Sequence, residues 1–342
     1  MLFLTILSVA HSYLSQKCVE YNCADTDVLD STEDQCVYLD KTYQVSPCDD
    51  GLHCEVPAPG QTGYCLNTLS STDYSYPGEP CSDTQTCLYG SCNSKVCEGL
   101  SKDKSCTKTQ ECDQGLSCQS GKCKTLLEID DTGCYNDYDC VNNAGCSTTN
   151  SDGSGKCIEY FSVSSKKEVE TCFGNKNLLC ESGVCAAYGD GYVCLPSLKN
   201  SLSSPYSCDT DDYCYSEKDD FTGISLTGKC GCSLVGKSFC SLFPGDLEAN
   251  GYQEYSRAWV QTKEIHECHS VRRFDEDCIS QKWDSKKDTY LYNLAVVRLY
   301  NQVEKAQDCL IEVFFADYSE AQEAYEVSFG AVLGLGSLFL LS

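Results

Sequence analysis

Thirty cysteines in 342 residues decide what this chain can fold into. At about 9% of the residues, they fall in the range that marks chains built on disulfides rather than on one large core. All lie between Cys18 and Cys309 and their number is even, so fifteen bridges with no thiol left over are expected. Such a set persists in an oxidising compartment and not in a reducing cytosol. The remaining composition agrees, because one Met and two Trp are poor material for a large apolar core. Asp plus Glu total 51 against 25 Lys plus Arg, a net charge of −26. A surface of that sign repels phosphate backbones and excludes nucleic acid as a partner.

The cysteines recur in groups of four. Cys81, Cys87, Cys92 and Cys97 are followed by Cys106, Cys112, Cys118 and Cys123. Then come Cys134, Cys140, Cys146 and Cys157, and Cys172, Cys180, Cys185 and Cys194. Looser units flank these: Cys36, Cys48, Cys54 and Cys65 before, and Cys208, Cys214, one of Cys230 and Cys232, and Cys240 after. Cys18 and Cys23 stand as an extra pair at the front. From Cys81 onward, successive units start 25, 28, 38 and 36 residues apart, a period that signals an array. The segments between cysteines are short and rich in Asp, Asn, Ser and Gly, so they support hairpins and loops but no helix of normal length. Units this small bury little apolar surface, and crosslinks replace burial, with neighbours expected to share little core. Most units close on Gly-x-Cys or Gly-x-x-Cys, as at Gly63, Gly121, Gly155, Gly191 and Gly228, where glycine is expected to supply a positive φ.

Residues beyond about 248 read differently. All eight prolines lie at or before Pro244, and only Cys268, Cys278 and Cys309 follow residue 250. Leu291, Ala295, Leu299, Val303, Ala306, Leu310 and Val313 form one helical stripe, with Asp288 or Thr289 placed to cap it. Tyr252, Tyr255, Trp259, Val260 and Lys263 form a weaker one. The fold class expected is therefore small disulfide-rich repeats, with short hairpins and little regular structure, followed by a small disulfide-tied helical hairpin. Its three cysteines need a fourth, expected at Cys240 or one of Cys230 and Cys232.

The two ends suggest secretion and attachment. Met1 to Ala10 form a mainly apolar stretch followed by His11-Ser12, with Ala10 and Ser12 at the small-residue positions of a signal peptide, so cleavage is expected after Ser12. Val327 to Ser342 carry no charge, and upstream Ser319 and Ala321 are small and followed by a polar spacer. That order matches a GPI-attachment signal with the lipid on Ser319, or on Asp317 or Ala316; a short membrane helix is the alternative. The resulting division is signal peptide 1–12, N-terminal cysteine-rich unit 13–80, four-cysteine array 81–248, helical segment 249–316 and attachment signal or anchor 317–342.

The unit from Cys106 to Cys123, with Gly115-Leu116 before its third cysteine and Gly121-Lys122 before its fourth, resembles the Dickkopf N-terminal cysteine-rich domain. Residues 81–157 carry the resemblance more broadly, over about a quarter of the chain, though the adjacent Cys-Cys of the complete domain is absent. The resemblance implies a secreted, crosslinked module that modulates Wnt signalling by binding a receptor. The whole layout is also similar to cysteine-rich, GPI-anchored surface proteins of protozoa.

Catalytic and metal chemistry find little support in the residue pattern. His266 and His269 are three apart but lack a second ligand cluster for zinc, and read as exposed helical histidines. Two oxygen-rich stretches, Asp209, Asp211, Asp212, Glu217, Asp219 and Asp220, and Asn150 with Asp152, read as solvated acidic surface rather than calcium loops. No cofactor is expected. The functional expectation is a non-enzymatic protein on the outer face of the plasma membrane, structural or adhesive, with a neighbouring coat protein or a receptor as its protein partner.

Overall fold

The computed structural model describes residues 18–325, apart from 25–27, 33, 50–51, 68–73, 83–84, 149–152, 170–171, 173 and 316–317. All thirty cysteines are paired and none is free. Within each of six units the first cysteine joins the third and the second joins the fourth. Cys106–Cys118 with Cys112–Cys123 is the plainest case. Cys36–Cys54 with Cys48–Cys65, Cys81–Cys92 with Cys87–Cys97, and Cys134–Cys146 with Cys140–Cys157 repeat it. So do Cys172–Cys185 with Cys180–Cys194, and Cys208–Cys230 with Cys214–Cys240.

Strand pairing explains the crossed pattern. The third and fourth cysteines of every unit sit directly opposite on an antiparallel hairpin, as Cys118 does to Cys123 in Leu116–Gln119 paired with Lys122–Thr125. Cys54 opposite Cys65, Cys92 opposite Cys97, Cys146 opposite Cys157, Cys185 opposite Cys194 and Cys230 opposite Cys240 follow suit. Opposed residues project to one face, so both sulfurs point back toward the incoming segment that carries the first two cysteines. Each bridge closes a short loop, and for a loop of about 15 residues that constraint contributes roughly 3 kcal/mol. Two hairpins turn on two-residue links with both φ positive, Ser94-Lys95 and Ser120-Gly121, the geometry that matches strand twist. Of the five glycines expected at positive φ before a closing cysteine, only Gly121 has it (φ 76°). At Gly63 the reason is space, since a Cβ there would lie 2.8 Å from Val56.

A second regularity links one unit to the next. Leu100, Leu127 and Val163 each form a parallel bridge to the second cysteine of the unit that follows, Cys112, Cys140 and Cys180. Three residues on, Asp103, Asp130 and Lys166 adopt left-handed backbone (φ 69°, 74° and 71°). Each donates its N–H to the carbonyl of the fourth cysteine, as Asp103 does to Cys123 at 2.8 Å. Gly78 does the same toward Cys97, with φ 91°.

Helices follow, among them α1 (Asn250–Val260), α2 (Glu276–Lys282), α3 (Lys287–Val303) and α4 (Asp308–Phe314). The expected single stripe from Leu291 to Val313 is broken, because Lys305 turns left-handed (φ 63°) and ends α3. No glycine or proline marks that break. The buried face of α3 is also rotated: Tyr290, Leu294, Tyr300 and Val303 are inside, while Leu291, Ala295 and Leu299 are half-buried. Tyr290 is drawn in by the aromatic cluster of Trp259 and Trp283, whose rings lie 5.4 Å apart. Asp288 lies inside the first turn of α3 rather than capping it, and the capping position is Lys286.

The helices are the shared core that the repeats lack. Trp259, Ile265, Ile279 and Trp283 pack with Tyr160 and Leu179 from the third and fourth regular units. Tyr206 and Cys240 of the last unit meet Tyr300. Leu310 of α4 packs with Tyr21, Val37 and Val45 at the front of the chain. Fully burying one such side chain contributes about 1.5–3 kcal/mol, so the expectation that units share little core fails through the helical segment. Its disulfides differ from expectation as well. Cys268 joins Cys278, whereas Cys309 joins Cys23 and Cys18 joins Cys232. The break at Lys305 is what turns Cys309 toward the N-terminal strand Tyr21–Cys23, which α4 packs against.

Candidate functional site

The segment between α1 and α2, closed by Cys268–Cys278, reaches across three successive units. Arg272 extends its guanidinium toward the buried Glu79, with Nε 3.5 Å from the carboxylate, and lies over the Tyr76 ring at 4.8 Å. It also pairs with Asp277 at 2.6 Å. Burial is the main influence on Glu79 and holds its carboxyl above the usual range, against the opposing pull of the Tyr76 N–H and Arg272. Arg273 is fully buried and donates from Nη1 to the carbonyls of Cys140 and Val141, both at 3.4 Å. The Tyr138 and Tyr160 rings flank it at 5.7 and 5.4 Å. Trp259 fixes this backbone by donating from Nε1 to the Arg273 carbonyl at 2.6 Å.

The units answer with their own side chains. Asn142, two residues after Cys140, donates to the carbonyls of Ile265 and Cys268 at 2.6 and 2.8 Å. Gln114, two residues after Cys112, donates to the His266 carbonyl at 3.1 Å. The residues just past the second cysteine therefore form the docking edge of the array. Of the histidine pair, His266 is exposed, but His269 is buried and lies off the 3₁₀ turn Glu264–Glu267. The reading of His269 as an exposed helical residue is thus corrected. Arg272 and Arg273 have no signature in the sequence, since adjacent cations in an acidic chain carry no mark of burial.

Other singled-out positions have structural duties. Asp211 accepts from the Cys230 N–H at 2.7 Å and pairs with Lys229 at 3.0 Å, and these hold its carboxyl below the usual range, the backbone bond first. Buried Asp219 accepts from the Thr222 N–H and hydroxyl, both at 2.8 Å. Among the described residues, the groups of three or more metal-type ligands that converge are all half-cystines already in disulfides. Asn150, Asp152, residues 1–17, Ala316, Asp317 and the tail from 326 lie outside the described residues. Ser319 is half-buried on the helical stretch 318–325, whose Tyr325 stacks on Tyr292 at 4.6 Å. Among the described residues no helix is long and apolar enough to cross a membrane.

Units built this way have recognisable relatives. A turripeptide OL55-like protein of Lophiotoma acuta is 30% identical over 100 residues, which span 23% of this chain and 96% of the relative. A second, from Iotyrris cingulifera, is 28% identical over 97 residues, covering 23% of this chain and 92% of the relative. The chain belongs to the turripeptide OL55-like family. Nearly a whole turripeptide OL55-like protein is matched within less than a quarter of its length. No known family's profile matches the chain, and no solved structure matches it. Fifteen disulfides without a free thiol, together with turripeptide OL55-like relatives, make this an extracellular, disulfide-crosslinked protein.

Proposed function

We propose that the protein is a non-enzymatic structural or adhesive component of a cell-surface coat, held at the outer face of the plasma membrane by a lipid on Ser319. The observation that carries this reading is the arrangement of crosslinks. Six crossed pairs of bridges lock the units, and two more tie Cys18 to Cys232 and Cys23 to Cys309. A chain closed at this many points offers a protease few cleavable loops, and its charge of −26 keeps neighbouring copies soluble and apart. Large apolar side chains left outside, such as Tyr135 and Leu247, supply contact points on that surface.

The test is release from intact cells expressing the full chain. Phosphatidylinositol-specific phospholipase C should free a folded, fully oxidised protein whose last residue is Ser319. A chain that resists the enzyme and still ends in Leu341-Ser342 would defeat the anchor. A second reading, a Dickkopf-like modulator that binds a receptor, is favoured by the exposure of Tyr135 at a unit that carries the resemblance, tyrosine being a frequent binding anchor. Recovery of the protein only from the medium, bound to a receptor ectodomain, would favour that reading.

A further inference from the structure

The crosslinks of this chain fall into two classes by the length of loop they close. Those of the six units and of the helical segment join cysteines 10–26 positions apart. Cys18–Cys232 and Cys23–Cys309 join residues 214 and 286 apart. Burial differs as well. Cys112–Cys123, Cys140–Cys157 and Cys268–Cys278 are sealed at both ends, whereas all four residues of the two long bridges are half-buried. Cys18 and Cys232 also line an open cleft of about 260 Å³ with Val56, Pro59 and Phe314, which gives an attacking thiolate an approach.

Thiol–disulfide exchange depends on access to a sulfur, and the exposed bridges are the labile ones. It also depends on whether the displaced thiol returns before the reductant completes the exchange. In a short loop that thiol stays close to its partner, and the cost of closure rises with loop length. Cys92 is exposed and Cys172–Cys185 is half-buried at both ends, yet their bridges close loops of 11 and 13 residues and re-form readily. For the long bridges the fold itself must hold the partners together. The Tyr21 N–H donates to the Leu234 carbonyl at 2.9 Å, and the Cys23 N–H reaches Gln307 Oε1 at 3.5 Å, too long for a strong bond.

We propose that Cys18–Cys232 and Cys23–Cys309 form a redox-sensitive clasp, which a dithiol opens ahead of the unit bridges, so that the front of the chain leaves the helices while each unit stays crosslinked. In each exchange a thiolate of the dithiol attacks one cystine sulfur and the S–S bond breaks. The second thiol then attacks the mixed disulfide. The dithiol is oxidised by two electrons, and its two protons end on the two freed cysteines. Opening both bridges uncovers the apolar contact of Leu310 with Tyr21, Val37 and Val45. This device is independent of a coat or receptor role and lets the scaffold expose an apolar surface in reducing surroundings.

The experiment treats the oxidised full chain with limiting dithiothreitol, traps free thiols with N-ethylmaleimide at intervals and maps the labelled peptides. Cys18, Cys23, Cys232 and Cys309 should be labelled about tenfold faster than the cysteines of the six units. Small-angle scattering of the chain trapped at that stage should give a larger radius than the oxidised chain. Cys18→Ser combined with Cys232→Ser should speed labelling of Cys23 and Cys309 about threefold, by loosening the clasp. If that variant is not secreted, the order of labelling in the wild type decides alone. Labelling of Cys92 or Cys172 together with or before the clasp would overturn the proposal. So would a clasp that is reduced while the radius stays that of the oxidised chain.

Discussion

His269 Nε2 lies 3.1 Å from the carbonyl oxygen of Cys112, 157 positions earlier in the chain, while its Nδ1 accepts from the Val271 N–H at 3.4 Å. That pattern needs the neutral ring with its proton on Nε2, and a second proton on Nδ1 would oppose the Val271 bond. Burial is the main reason that the pKa falls from 6.5 to about 4, with Arg272 pushing the same way and the Cys112 carbonyl and Asp113 opposing.

Stability should therefore depend on acid in a defined window. The unfolded chain takes up this proton near pH 6.5 and the folded site only near 4, so the contribution is complete above 6.5 and is lost as pH falls toward 4. The loss approaches about 3 kcal/mol. Glu79 works with the opposite sign, since its raised pKa favours the folded state as pH drops. His269→Gln, which keeps a donor for Cys112, should flatten the acid limb. Denaturation midpoints at pH 7 and 4.5 for the two proteins test this, and equal acid sensitivity would count against it.

Arg273→Ala should open the junction of the array with the helices. It removes bonds to Cys140 and Val141 and the filling between Tyr138 and Tyr160, at about 2–3 kcal/mol. Limited proteolysis should show nicking near residues 140–143 with the unit's disulfides intact. Arg273→Lys should not restore protection, because an ammonium lacks the planar fork. Unchanged proteolysis would contradict the junction.

Two glycines separate strain from crowding. Gly90 has φ 83°, and a Cβ there would fall 1.9 Å from the Glu98 carbonyl. Gly133 has φ 98° with nothing within 4 Å. Gly133→Ala should cost only the left-handed conformation, about 1 kcal/mol, and Gly90→Ala clearly more. Thermal melts of the paired variants measure the difference, and equal costs would mean that the Glu98 carbonyl is not where the structure puts it.

Much of the scaffold was legible from spacing alone: the sets of four cysteines, the short hairpins and the helices after residue 248. Local signals carried those, because each depends on residues within about 40 positions. The left-handed residues Asp103, Asp130 and Lys166 carried little signal, since Asp visits positive φ more than most residues but far less than glycine, and Lys gives no sign of it. Lys305 hid its helix break for the same reason, and the stripe from Leu291 to Val313 reads unbroken across it. Arg273 and His269 were invisible as buried groups because their partners are backbone carbonyls, which every residue offers. The partner of Cys309 depended on where the front of the chain comes to rest, and only the packing of Leu310 against Tyr21 and Val45 decides that.

The first two cysteines close the chain on itself. The most direct test is proteolytic digestion of the alkylated, non-reduced protein, with mass analysis of the crosslinked peptides. One peptide pair should join Cys23 to Cys309 and another Cys18 to Cys232, beside the crossed pairs of the six units. A peptide joining Cys18 to Cys23, or Cys309 to Cys240, would contradict it.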